Sequence, residues 1–182
     1  MIYYHLSSQL STGDKVIPSQ KKFNGWSRYA ETTVIKNEND FRKEFDFLMA
    51  SKVEQETGRK PHKWLCETVF ENIRKKHFAD CPSRIYGIYL CETLGDAISF
   101  RNNIRKGIGS IFEVSIPDNV DYFDMNLFTQ AETLLHGSVN DREMFQVCIG
   151  LANRYWAKKN DNLIVEKEYI YENIVLIGTK IM

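Results

Sequence analysis

The stretch Arg84-Ile85-Tyr86-Gly87-Ile88-Tyr89-Leu90-Cys91-Glu92-Thr93-Leu94-Gly95-Asp96-Ala97-Ile98-Ser99-Phe100 decides how this chain is read. Its aliphatic and aromatic opening favours a strand ending at Tyr89, and a polar turn then leads into a helix from about Leu94 to Arg105. One aromatic therefore stands at the strand's end, and a second, Phe100, follows inside the first helical turns. Two aromatics brought together this way can grip a flat heterocycle, each contact contributing roughly 0.5–2 kcal/mol. Gly87 leaves room for close backbone approach.

Ile2-Tyr3-Tyr4-His5-Leu6 also favours a strand, and Ser11-Thr12-Gly13-Asp14 is turn chemistry before the short extended piece Val16-Ile17-Pro18. Residues 21–30 lack periodicity and read as a loop. Phe41, Phe45, Leu48 and Met49 recur at helical spacing from Asn39 to about Gly58. A second helix carries Leu65, Val69 and Ile73 on one stripe and ends near Ala79-Asp80-Cys81-Pro82. Ser110 to Pro117 alternates like a half-buried strand, and Asp121-Tyr122-Phe123 reads as another short one. Helices are expected over 128–135 and 141–157, the latter with Met144, Val147, Cys148, Leu151 and Tyr155 on one face. Strands over 163–171 and 174–177 close the chain. Strands at both ends and irregular alternation between them predict an α+β fold, and the absence of repeats or linkers predicts one domain over 1–182.

The chain has 182 residues, 43% apolar and 26% charged, with 24 basic and 24 acidic side chains. That length buries a core without staples, and the composition argues against extended disorder. Zero net charge lacks the basic excess of a dedicated nucleic-acid binder. Arg74-Lys75-Lys76 and Arg101 with Arg105-Lys106 read as solvated helix faces or local contact patches. The four cysteines lack paired spacing or histidine neighbours, so no metal is expected, and Cys66 and Cys148 read as small buried hydrophobes. Without an apolar leader or a long apolar run, a cytoplasmic protein off the membrane is the simplest expectation.

Three short elements carry candidate chemistry. His5 and Ser7 point to one face of the first strand, and the Leu6 backbone between them offers a donor and an acceptor suited to a primary carboxamide. Tyr89 with Phe100, beside Gly87, suits a pyridinium ring. Glu166 and Glu168 fall on one side of a late strand, where a carboxylate can hold a ribose hydroxyl and stabilise positive charge developing on the sugar. Each element alone also reads as ordinary structure: a surface histidine, two core aromatics, an acidic edge.

Together, His5 on the first strand, Gly87-Ile88-Tyr89 and Glu168-Tyr169-Ile170 resemble the His–Tyr–Glu class of ADP-ribosyltransferases. Gly87-Ile88-Tyr89 followed by Phe100 is similar to the poly(ADP-ribose) polymerase catalytic core. His5-Leu6-Ser7 before Gly13-Asp14 is more like the small bacterial rifamycin ADP-ribosyltransferases. The resemblance spans nearly the whole chain. It implies a split mixed β-sheet, with residues 39–79 as a helical insertion after the first motif. It also implies NAD+ as co-substrate. His5 would bond the adenosine ribose, the Leu6 backbone the carboxamide, and Ser7 would lie near the nicotinamide ribose. Tyr89 and Phe100 would stack on nicotinamide, and Glu168 would stabilise the oxocarbenium as nicotinamide leaves. Trp26 and Arg28 fall in a loop that can cover the cofactor, where an arginine suits a diphosphate. Glu166 would activate an acceptor.

Leu6 replaces the usual glycine and Ala97 the usual serine, so poly(ADP-ribose) elongation is not implied and mono-transfer is expected. The acceptor is open between protein, nucleic acid, small molecule and water, the last making an NAD+ glycohydrolase. Toxin, defence or counter-defence roles are what such small enzymes suggest. The rival reading is a non-catalytic nucleotide- or protein-binding module on the same fold. His62, His77 and His136 have no motif around them.

Overall fold

A strand does form within the stretch read from sequence, at Ile88–Leu90, and the elements around it alternate irregularly. The computed structural model describes residues 1–18, 38–50, 54–55, 60–116, 120–137, 142–159 and 166–182. In chain order its elements are β1 (Ile2–Ser7), β2 (Lys15–Val16), α1 (Glu38–Ala50), α2 (Pro61–His77), β3 (Ile88–Leu90), α3 (Leu94–Asn103), β4 (Ser110–Ser115), β5 (Tyr122–Asp124), α4 (Met125–Gly137), α5 (Arg142–Trp156), β6 (Lys167–Tyr171) and β7 (Val175–Lys180). The class is α+β. The strands form a four-stranded sheet, β1-β4-β7-β2, and a three-stranded one, β3-β6-β5. The pairings β1–β4, β4–β7, β2–β7 and β3–β6 are all antiparallel. The mixed sheet expected from sequence is therefore not seen in these pairings.

Two compact units divide the chain: Met1–Lys21 with Tyr86–Tyr122 and Glu168–Met182, and Lys22–Ile85 with Phe123–Lys167. The first holds β1, β2, β3, β4, β7 and α3. Its core is Tyr3, Ile88, Leu90, Ala97, Ile111, Val114, Tyr169, Ile170 and Ile177, all buried. On β1, Tyr3 sits opposite Val114 and His5 opposite Phe112. Between β4 and β7 the register slips, Phe112 facing Lys180 and Val114 facing Ile177, so β7 carries one extra residue in a bulge. Gly178 lies in that bulge, where an added Cβ would stand 2.8 Å from the Glu113 carbonyl oxygen. The close approach of the two backbones requires glycine here.

The second unit is mostly helical. A stripe of Leu65, Val69 and Ile73 is the sequence expectation for α2, yet every residue from Trp64 to Glu71 is buried and Ile73 is only half-buried. From Trp64 to Glu71 the helix is enclosed all round, and two glutamates go in with it. Each carboxylate is met by an arginine. Arg84 Nε and Nη2 donate to the two oxygens of Glu67 at 2.9 and 3.0 Å, and its Nη1 donates to the Tyr155 hydroxyl at 2.9 Å. The guanidinium also lies 3.8 Å over the Phe128 ring. Arg74 Nε and Nη2 donate to Glu71, which also accepts from the Ser83 hydroxyl. Paired this way, buried charge is tolerated.

The pairs correct two expectations, and the burial of α5 corrects a third. Arg74 is tied to Glu71, so it belongs neither to a solvated face nor to a contact patch. Arg84, Ile85 and Tyr86 form a turn, because Arg84 is anchored on α2; the strand begins at Ile88 and runs past Tyr89. Val147 is exposed, outside the buried face of α5 formed by Phe145, Cys148, Leu151, Ala152 and Tyr155. Cys66 and Cys148 are buried, as expected. Among the described residues, no helix is long and apolar enough to cross a membrane.

Truncating Glu67 leaves the Arg84 charge buried and half-bonded. Glu67→Ala is expected to lower unfolding free energy by ~3–5 kcal/mol, read as a fall in the urea midpoint.

Candidate functional site

Inside the first unit, β1 and β3 begin to pair and then stop. The Tyr4 N–H donates to the Cys91 carbonyl at 2.9 Å, and the Cys91 N–H donates to the Tyr4 carbonyl at 2.8 Å. Successive residues of a strand direct their backbone groups to alternate edges, so Leu6, two residues on, faces the same edge as Tyr4. Ile111, its partner on β4, cannot bond it instead: the Ile111 N–H donates to Met182 and its carbonyl accepts from Ile181. Among the described residues, the Leu6 N–H and carbonyl have no backbone partner.

Continued by one rung, the bridge would place Tyr89 against Leu6. The Tyr89 carbonyl is instead bonded to His5 Nδ1 at 2.8 Å. A carbonyl only accepts, so Nδ1 carries the proton. A histidine side chain thus takes the place of a rung, and one backbone donor and one acceptor are left side by side at the fork.

Tyr89 and Glu168 share a face. β3 pairs with β6 so that Tyr89 is opposite Ile170, and residues opposite each other in an antiparallel pair point the same way. Glu168, two residues before Ile170 on β6, is therefore Tyr89's diagonal neighbour on that face. Cys91, just beyond β3, is held by its bridge to Tyr4, and burial, reinforced by Asp96, pushes its thiol up to about 11. β6 is held in turn by Tyr169, which is buried, packs on Tyr3 at 5.5 Å between ring centroids, and donates its hydroxyl to Glu92 at 2.7 Å. Glu92 had no role in the sequence reading; only its position beside the turn hints at one.

The remaining expected residues are placed as follows. Gly87 is buried immediately before β3. Phe100 lies on α3, 42% exposed, three residues beyond buried Ala97, and Tyr89 is 37% exposed. The helix starts on a Thr93 cap that accepts from the Asp96 N–H, and it packs against β1. The Ser7 hydroxyl accepts from the Gln9 and Leu10 N–H groups, closing the turn that ends β1. Gly109, at φ 101°, leaves space for the Leu6 side chain, whose Cδ1 would lie 3.3 Å from a Cβ there. The leucine side chain is accommodated in this way. Beyond Ser7 lies a cleft of about 270 Å³ lined by Ser7, Ser8, Ile104, Arg105, Lys106 and Ile108.

Glu166 immediately precedes β6, with its carbonyl accepting from the Met125 N–H, so of the two glutamates only Glu168 lies within the strand. Trp26 and Arg28 lie outside the described residues. In the second unit, the rings of His62 and His136 meet edge to face at 4.7 Å. Burial holds His62 below the usual imidazole range, with Glu132 acting against it. Among the described residues no cluster of three or more His, Cys, Asp or Glu is placed to hold a metal ion.

Comparison with known families matches residues 3–181 to the one described as "Protein of unknown function (DUF2441)". No curated protein matches the chain.

The raised Cys91 thiol is testable by alkylation, which needs the thiolate. Its reaction with iodoacetamide is expected to keep accelerating up to about pH 11, where an ordinary cysteine levels off near its own lower value. Mass-resolved labelling of Cys91 across pH 7–11 reads the difference.

Proposed function

We propose that this chain, which belongs to the DUF2441 family, is an NAD+-dependent mono-ADP-ribosyltransferase of the His–Tyr–Glu type. The observation that carries the reading is the open Leu6 backbone pair at the β1–β3 fork. A primary carboxamide is the small group that presents one acceptor and one donor side by side, matching the Leu6 N–H and carbonyl. Tyr89 and Glu168 flank that fork on one face, and His5 is bonded across it. The two sheets, bridged among the described residues at Tyr4–Cys91, are compatible with a split sheet, although the pairings between their strands are antiparallel rather than mixed.

In this reading nicotinamide enters the fork, held by Leu6 through its carboxamide and by Tyr89 and Phe100 through its ring. The pyridinium ring leaves with the electron pair of the glycosidic bond, and positive charge grows on the ribose carbon and ring oxygen. The Glu168 carboxylate holds the 2′-hydroxyl and stabilises that charge; preorganised stabilisation of this kind is the largest single contribution in many enzymes. A nucleophile of the acceptor, or water, then closes on the exposed carbon and gives up its proton. His5, its ring oriented by the Nδ1 bond to the Tyr89 carbonyl, is the residue that the resemblance assigns to the adenosine ribose.

Purified protein is expected to release nicotinamide from NAD+, alone or with cell lysate supplying an acceptor. Glu168→Gln should lose about 10²–10³-fold of that rate. Silence of wild type under both conditions, with no thermal stabilisation by NAD+, excludes the transferase and leaves the binding module. Nicotinamide should inhibit at least about tenfold better than nicotinic acid, whose carboxylate offers no donor to the Leu6 carbonyl.

A further inference from the structure

The cleft beyond Ser7 offers a ligand hydrogen-bond donors. Ser7 Oγ accepts two backbone bonds, from Gln9 at 3.1 Å and Leu10 at 3.2 Å, so both its lone pairs are engaged and its proton is what it has left to give. Arg105 and Lys106 carry only donors, are exposed, and have no ion-pair partner among the described residues. Arg101, in the same basic run, is committed to the Gly109 carbonyl at 2.8 Å and fixes the turn that presents the other two. That turn holds Lys106 and Gly107 at positive φ, 51° and 81°, so the backbone sets where residue 106 sits. The lip is apolar, with Ile104 and Ile108 64% and 67% exposed.

Two cations and an acceptor-saturated hydroxyl suit an anion rich in acceptor oxygens, and the guanidinium fork matches phosphate geometry. The volume, about 270 Å³, is several times the ~30 Å³ share of a liquid water, which is room for a diphosphate. The apolar lip suits the carbon skeleton of an ester rather than a free inorganic ion. We propose that the Ser7–Arg105–Lys106 cleft binds the phosphate group of a phosphate ester. The cleft shares Leu6 and Ser7 with the fork. Its phosphate therefore comes either from the diphosphate of NAD+, which rests on the function proposed above, or from a second, phosphorylated ligand.

The test is calorimetric titration with inorganic pyrophosphate, and separately with NAD+, at low salt and without divalent cations. It compares wild type, R105Q/K106Q, and K75Q/K76Q, which removes equal charge from exposed lysines on α2. Pyrophosphate is expected to bind wild type and K75Q/K76Q alike and R105Q/K106Q about tenfold more weakly or worse. If NAD+ weakens by a similar factor in R105Q/K106Q, the phosphate is the co-substrate's own. If NAD+ binding is unchanged there, the cleft serves a second phosphorylated ligand. If NAD+ does not bind wild type while the pyrophosphate result holds, the transferase reading fails and the cleft stands. Absence of pyrophosphate binding, or equal binding by R105Q/K106Q, or an equal loss in K75Q/K76Q, overturns the proposal.

Discussion

A backbone ladder that stops after one rung is the constraint on which the candidate site depends. Tyr4 and Cys91 bond each other through both backbone groups, and the next potential rung, Leu6 with Tyr89, is replaced by the His5 imidazole on the Tyr89 carbonyl. Unpaired backbone groups are costly when buried and useful when a ligand can reach them. Leu6 is only half-buried, so its open pair is affordable in the free protein and available for recognition. Everything else in the first unit serves the fork. β4 occupies the other edge of β1, the bulge at Gly178 seats β7 on β4, and Tyr169 locks β6 through Tyr3 and Glu92 so that Glu168 keeps its place.

The second unit solves a different problem. Its central helix, α2, is enclosed along eight consecutive residues, two of them glutamates. Paired arginines, Arg84 with Glu67 and Arg74 with Glu71, let those charges enter an aromatic interior. Tyr155 stacks on Phe123 and bonds Arg84, and Trp156 donates to the Phe70 carbonyl, so the polar tips of these two side chains are satisfied. Such networks favour one arrangement of the helices over near alternatives, since a shift by one turn strands a charge.

The strands were legible wherever aromatic and β-branched residues cluster, as at residues 2–6, 110–115 and 175–177, because propensity and burial agree there, whereas the Gly178–Lys180 end of β7 was not. So were the amphipathic character of α5 and the burial of Cys66 and Cys148. The turn at Arg84–Tyr86 was not, because its cause is a long-range ion pair to Glu67, seventeen residues away in sequence. For the same reason the enclosure of α2 was hidden: a glutamate at a buried position reads as surface until its arginine is known. His5, Tyr89 and Glu168 stand out in the sequence as candidates, whereas the common face of Tyr89 and Glu168 follows from the β3–β6 register and is not written in either segment alone. What sequence could not disclose is that Leu6 is left unpaired, that His5 replaces a rung, and that Ser7 is saturated as an acceptor. Each depends on which edge of a strand faces which neighbour, and register of that kind is written in pairing rather than in residue type.

The open Leu6 backbone is the claim on which the functional reading turns, and amide NMR addresses it directly. In the free protein the Leu6 amide should exchange with solvent far faster than Tyr4, whose N–H is bonded to Cys91. Adding nicotinamide should shift the Leu6 resonance and slow its exchange, while nicotinic acid at the same concentration does neither. A Leu6 amide as protected as Tyr4 in the free protein, or one that stays unmoved as nicotinamide saturates the chain, contradicts the account.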